Sequence, residues 1–362
     1  MAVLLHLLPS SSDPWKSTLP PSLPTPIHWN AGQLRSLNYP ALSTSVLDQV
    51  RSWSSLHALL SPHLPSLSSA SFTHNSELAR SRAFSSPSRS GFNPVPFATS
   101  LALSALYLLL DLGTPEQAAN GAAVVLCGVV LKDFVLPKLQ GSVTYTISPG
   151  NDLPNHSAAP TADVSFSYFQ SSHTLTALSD VPDGQPVTIS YGPRSNDQLL
   201  QYYGFVLPDN PDDVFVLPPL GEWDLDALKA ACGGREVGSG GRMEALDRVG
   251  LLESPCVLTR EGIDEAVVQA LRALCSSDED WSRLESVGNF AAKVSAENED
   301  LANKCVAAII EQEAARFGTV KEENAAAREA RKMGDDVGEM CATFRREKRK
   351  VLDAAMEVHG GK

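Results

Sequence analysis

Two stretches concentrate side chains that could do chemistry. Residues 189–205 read ISYGPRSNDQLLQYYGF: a strand ending at Tyr191, a turn at Gly192 and Pro193, and a short helix delivering Tyr203 ahead of Gly204 and Phe205. Residues 152–157 read DLPNHS and place Asp152, Asn155 and His156 in a loop between strands. Tyrosine hydroxyls and an asparagine amide donate and accept hydrogen bonds without charge, which suits them to orienting a reacting group. Taken singly, Tyr191 and Tyr203 read as core aromatics and His156 as a turn residue, so the information lies in the combination. A third candidate, the glycine-rich run 233–241, neither follows a clear strand nor contains GKS/T. It reads as a mobile surface loop rather than a phosphate cradle.

Bulk properties narrow the classes. A chain of 362 residues accommodates two ordinary domains. Residues 1–150 carry a net charge of +2, and 151–362 carry −15. An acidic half argues against nucleic acid, which needs clustered cations; it suits a basic protein partner or an ordinary solvated helical surface. The six cysteines, Cys127, Cys232, Cys256, Cys275, Cys305 and Cys341, include no CxxC pair. Their spacing indicates neither a zinc cluster nor a disulfide framework, so no metal ligands are expected, and scattered cysteines fit a reducing compartment. The opening MAVLLHLLPSSSDPW lacks a basic n-region and reads as the end of a buried helix, not a signal peptide.

The elements that must position these residues follow from periodicity and turn chemistry. Residues 9–30 read as an irregular segment anchored by Trp15 and Trp29. Helix is expected over 31–60, broken near Pro40, with loops at 61–76 and 85–96. Two apolar runs, 97–112 and 121–136, are joined by a turn in which Thr114 caps a helix opening on Pro115. Both are shorter than the roughly 20 residues of a membrane span, and Lys132 and Asp133 interrupt the second, so they are expected to pack within the fold. Strands are expected at 143–147, 164–168, 174–177 and 186–191, with a Pro182–Gly184 turn before the last. Beyond Pro219 the chain reads as helical. Ile263, Val267, Leu271 and Leu274 form one apolar face, with a cap near 259–261, and longer helices cover about 289–317 and 335–358.

With these elements in place, the Asn155-His156 pair, Tyr191 and the Tyr203-Gly204-Phe205 run together resemble the SET domain, in the subgroup of the RuBisCO large-subunit methyltransferase. Ser81-Arg82-Ala83-Phe84 resembles a Ser-Arg-Ala-Phe segment of that family, and the Trp15 and Ile27–Trp29 regions are similar to its helical insert. The segment 344–352 looks like the close of its substrate-binding domain. The resemblance implies an α+β fold: a partial SET-domain β fold with helical inserts over 1–205, then an all-α substrate-binding domain over 206–362. It implies S-adenosylmethionine as cofactor and methyl transfer to a lysine of a protein substrate. Asn155 would hold the cofactor's amino-acid end, the His156 main chain its adenine edge, and Arg82 its carboxylate. Asp152 would join this cofactor-binding set, and Phe205 would pack against the adenine. Tyr191 would stand at the methyl-transfer point, and Tyr203 would line the lysine channel.

The expected partner is a lysine-bearing protein, with no nucleic acid and no membrane, and the chain is expected to be a monomer. The resemblance leaves plastid, cytosol and nucleus open as locations. It also marks three departures: no Gly-x-Gly strand ahead of Trp15, an insertion carrying the apolar runs between Ser85 and Pro149, and Pro154 where an apolar residue is usual. The first leads to the expectation that the chain as given methylates poorly. A non-catalytic binding module and a histidine methyltransferase stay open as alternatives.

Overall fold

A computed structural model describes residues 5–6, 14–87, 95–131, 143–167, 172–253, 256–287, 290 and 292–360. The helices along the chain are α1 Ala31–Ser36, α2 Pro40–Leu60, α3 Ser69–Arg82, α4 Val95–Leu109, α5 Pro115–Val130, α6 Asn196–Tyr203, α7 Leu225–Ala231 and α8 Arg242–Arg248. They continue as α9 Glu265–Leu274, α10 Asp278–Val287, α11 Ala296–Ala314, α12 Val320–Met333 and α13 Asp336–His359. The strands are β1 Ala83–Pro87, β2 Val143–Ile147, β3 Asn155–His156, β4 Ala162–Ser167, β5 Ser172–Ala177, β6 Thr188–Ile189, β7 Phe215–Leu217, β8 Cys256–Thr259 and β9 Gly262–Ile263. The chain divides into two compact units, one of Met1–Leu19 with Asn75–Tyr191, the other of Pro20–His74 with Gly192–Lys362.

The first unit holds three two-stranded pairings. β1 runs antiparallel to β2 with Ala83 opposite Ile147, and β4 pairs antiparallel with β5. β3 pairs parallel with β6, setting His156 opposite Ile189. Two of these strands differ from the sequence reading. Residues 85–87 read as loop, but pairing with the β-branched and aromatic run of β2 draws them, with Ala83 and Phe84, into a strand. Asn155 and His156 gain their pairing only through contact with β6. The Pro182–Gly184 turn forms as read, with Gly184 at φ +77° and the Gln185 N–H donating to Pro182 O.

The two apolar runs form helices α4 and α5. Thr114 caps α5 by accepting from Gln117 N, and the Gln117 side chain reaches back to Thr114 N, a reciprocal box with Pro115 at the first position. The expectation that the pair packs within the fold is corrected. The helices pack on each other where Ser104 Oγ donates to Ala118 O at 3.2 Å and Ala118 is buried, while Leu109 stays 82% exposed and Val124 72%. A seam of small residues brings two helices together but leaves the long side chains outside it. Among the described residues no helix is long and apolar enough to cross a membrane. Residues 132–136 lie outside the described residues, as do Tyr168 and most of the first thirteen.

The second unit carries a continuous apolar core running from Leu34 to Ala355. Pro40 opens α2 at its first position after Asn38, whose positive φ of 52° breaks the helical run as read. Tyr39, 2% exposed, accepts from Val216 N at 2.7 Å and packs edge-on against Phe215. α13 buries Phe344, Lys348, Val351, Leu352 and Ala355, a spacing that puts all five on one helical face. The unit is helical, with one small antiparallel sheet, β7-β8-β9, added. Residues 259–261, read as a helix cap, instead end β8 at Thr259 and turn through 260–261 into β9; the α9 cap is Asp264, which accepts from Ala266 N. Of the apolar face read for α9, Val267, Leu271 and Leu274 are buried on the helix, but Ile263 is corrected: it precedes the Asp264 cap and belongs to β9. Helix α3 corrects the loop reading of 61–76 from residue 69 onward, because buried Phe72 and Leu78 give a polar sequence two anchors. The glycine run 233–241 is pinned rather than mobile: Gly238 N donates to Leu274 O at 3.0 Å and Val237 is buried.

Candidate active site

In the first unit, Arg82 ends α3 and leads straight into β1, while Asp152 lies in the turn after β2. The register of β1 on β2 brings the two ends together. Arg82 Nη1 donates to Asp152 Oδ2 and to Asp152 O, each at 3.0 Å. The Asp152 carboxylate, wholly buried, also accepts from Trp15 Nε1 at 3.0 and 3.1 Å and from Gly150 N at 3.0 Å. Its acceptor sites are thereby filled from within the protein, so Asp152 holds Arg82 in place. Read as an apolar anchor, half-buried Trp15 also brings tryptophan's single donor, its indole N–H, to this carboxylate.

The Arg82 guanidinium keeps a second edge. Its Nε–H is buried and has no acceptor among the described residues. A planar, negatively charged group of carboxylate geometry would satisfy an arginine edge of this kind.

β3 and β6 bring together His156 and Tyr191. Tyr191 N donates to His156 Nδ1 at 3.1 Å, and the two rings lie 5.2 Å apart between centroids. That bond makes Nδ1 an acceptor, so the neutral ring carries its proton on Nε2. The Tyr191 hydroxyl donates to Pro154 O at 3.1 Å. Its proton is thus directed at the Pro154 carbonyl. Pro154 fixes its own φ and stiffens the loop that supplies this acceptor. Asn155 is exposed beside the pair, and His156 and Tyr191 are half-buried.

Tyr203 and Phe205 belong to the second unit. α6 ends at Gly204, whose φ of +76° closes the helix with its N–H donating to Leu200 O. A Cβ at Gly204 would stand 2.8–2.9 Å from the ring and carbonyl carbon of Pro24, so the glycine serves both turn and close approach. The Tyr203 and Phe205 rings lie 6.3 Å apart on either side of it. Phe205 also lines a cavity of about 410 Å³ with Met340, Thr343 and Arg346.

Behind this segment lies a buried ion cluster. Lys348, fully buried, donates from Nζ to Asp213 Oδ1 at 2.8 Å and Val214 O at 2.6 Å, and pairs with Asp197. Asp213 accepts in turn from Asn196 N and Asn196 Nδ2, and Asn196 Oδ1 accepts from Leu207 N. α6 and the chain beyond Phe205 are therefore tied to the middle of α13. Burial would lower the Lys348 pKa, but Asp197 and Asp213 outweigh it and hold the ammonium charged.

A further grouping escaped the sequence reading. Cys232, Cys275 and Cys305, read as scattered, converge in the core of the second unit with Sγ separations of 3.3, 3.5 and 3.9 Å. They lie 43 and 30 positions apart, beyond any motif spacing. The one signal in the sequence is that Cys275 and Cys305 continue the apolar faces of α9 and α11.

Against this geometry, residues 241–352 match the family model described as Rubisco LSMT substrate-binding. The chain is similar in structure to Rubisco LSMT bound to AdoMet, with TM-score 0.56 and 19% identity over 96% of this chain and 69% of that one. It is similar to the SET domain of LSMT bound to MeLysine and AdoHcy (TM-score 0.55, 18% identity) and to Rubisco LSMT bound to sinefungin and monomethyllysine (0.55, 19%), with the same coverages. No curated protein matches by sequence. The resemblance to the RuBisCO large-subunit methyltransferase-like SET proteins holds at the level of fold: mixed helix and strand in a SET-type arrangement, with a helical substrate-binding domain.

Proposed function

We propose that this SET-fold chain is an S-adenosylmethionine-dependent protein-lysine N-methyltransferase, with residues 1–205 as its catalytic part and 206–362 as the part that holds the protein substrate. The observation that carries the reading is the Arg82 edge: a guanidinium fixed on one side by buried Asp152, with a buried Nε–H lacking an acceptor among the described residues. The amino-acid carboxylate of the cofactor has the charge and planarity that edge lacks. Asn155 would bind the amino-acid end through its amide and the His156 main chain the adenine; Phe205, which the resemblance sets against the adenine, belongs to the second unit.

The bound cofactor supplies an electrophilic methyl on a sulfonium. The protein's part is alignment, since an in-line displacement is governed by the placing of nitrogen, methyl and sulfur. Tyr191 suits the transfer point because its hydroxyl, held by Pro154 O, places a polar group there without adding a competing charge. Tyr203 would orient the incoming amine. The substrate lysine must be neutral to attack, and desolvation beside a positive charge lowers its pKa.

The test is calorimetric titration of S-adenosylmethionine into the parent chain and Arg82→Ala, with transfer of labelled methyl scored as methyllysine after hydrolysis of acceptor protein. The expected result is at least tenfold weaker binding in Arg82→Ala, about the loss of one charged hydrogen bond. Tyr191→Phe should bind the cofactor normally and transfer about ten- to a hundredfold more slowly. Cofactor affinity indifferent to Arg82 would overturn the site, and binding without any methyl transfer would mark a non-catalytic module.

A further inference from the structure

We propose that Cys232, Cys275 and Cys305 form a binding site for a thiophilic divalent cation of the zinc class, its fourth coordination position opening toward the cavity beside Cys275. The site lies wholly within the second unit and is independent of the methyl-transfer reading.

Three separate helices meet there. Cys232 and Cys275 cap the C-terminal ends of α7 and α9, and Cys305 sits mid-way along α11. Thiols are small apolar groups, and three of them packed by chance would fill space as methyl groups do. Two observations point past that.

The first is the triangle itself. Zinc–thiolate bonds of about 2.3 Å in tetrahedral array set sulfurs about 3.8 Å apart. The observed 3.3, 3.5 and 3.9 Å need only a few tenths of an ångström of movement to reach it. A disulfide would require one pair to close to about 2.05 Å, well over an ångström of approach.

The second observation is the cavity of about 430 Å³ whose wall includes Cys275, Asn298 and Leu301. Asn298 is 3% exposed and donates from Nδ2 to Arg272 O, but its Oδ1 has no partner among the described residues. A water completing the metal's coordination would have a buried acceptor to donate to on that wall.

Charge selects a divalent ion. Three S–H bonds release three protons to solvent, and three thiolates around a divalent cation leave a net charge of −1. A monovalent ion would leave −2 in the same core, at a greater cost of burial.

The full chain, reduced, stripped with chelator and held in metal-free buffer, is titrated with Zn²⁺ against a chromophoric chelator and then with Co²⁺. The expected result is one equivalent per chain, thiolate-to-cobalt charge transfer with tetrahedral d–d bands, and shielding of Cys232, Cys275 and Cys305 from alkylation. Cys305→Ser should bind at least a hundredfold more weakly, while Cys256→Ser, buried outside the triangle, should bind normally. If Cys305→Ser fails to fold, the alkylation map of the unmodified chain decides. No stoichiometric binding by the folded, reduced chain, a cobalt spectrum without thiolate charge transfer, protection of other cysteines, or a disulfide in place of binding would each overturn the proposal.

Discussion

Asp152 and Arg82 divide one ion pair into two duties: the carboxylate is saturated by Trp15, Gly150 and Arg82, and the guanidinium retains a buried edge. Because the carboxylate is wholly buried, removing its charge leaves the Arg82 side chain without its counter-ion in a half-dry site. Asp152→Asn should destabilise the fold by about 2–3 kcal/mol, read from the urea midpoint at unchanged slope. A loss below about 0.5 kcal/mol would mean that the pair behaves as an exposed one. Arg82, Asp152, Asn155, His156 and Tyr191 were singled out beforehand, Arg82 through the family resemblance, but that Asp152 serves Arg82 was not legible. Nor was the proton traffic. That Pro154 O takes the Tyr191 hydroxyl proton, and that His156 Nδ1 accepts from the Tyr191 backbone, depends on a two-residue strand pairing with no periodicity to read.

Between Tyr203 and Phe205, Gly204 decides how α6 stops. Alanine there would have to hold a φ of +76° and push its Cβ into Pro24, whose carbonyl carbon cannot swing aside. Gly204→Ala should therefore cost more than the roughly 1–2 kcal/mol of the left-handed conformation alone. Thermal melting checks this, and an unchanged Tm would show that the chain around Pro24 yields. Elements defined by local chemistry were the readable ones: the Thr114-Pro115 cap, the Pro40 break and the buried face of α9. β1, β3 and the cysteine triangle were unreadable for a common reason, each being made by a partner distant in sequence.

Across the second unit, Lys348 is the pin between α13 and the Asn196–Val214 stretch. Lys348→Met keeps the bulk but strands the Asp197 and Asp213 carboxylates, and should cost about 3–5 kcal/mol by chemical denaturation. Cosubstitution of both aspartates by asparagine should recover part of that loss; no recovery would assign it to packing. A second long-range tie sets an acid limit. His359 Nε2 accepts from Ile263 N at 3.2 Å, which only a neutral imidazole can do, with Nδ1 beside Asn303 Oδ1. Burial lowers its pKa below the usual imidazole value. A depressed folded pKa means the contribution is complete above about pH 6.5 and is lost as pH falls through the lower folded value. Unfolding free energy should drop between pH 7 and 5, and His359→Phe should remove that component; an unaltered pH profile in the variant would exclude it. The same closure has a consequence in time. The core joins Leu42 and Val46 to Phe344 and Leu352, about 300 residues later. At roughly 5–20 residues per second of synthesis, the early helix waits some 15–60 s for the chain that covers it. During that interval its apolar face is open to whatever the cell holds, so the nascent protein should depend on chaperones far more than the finished one.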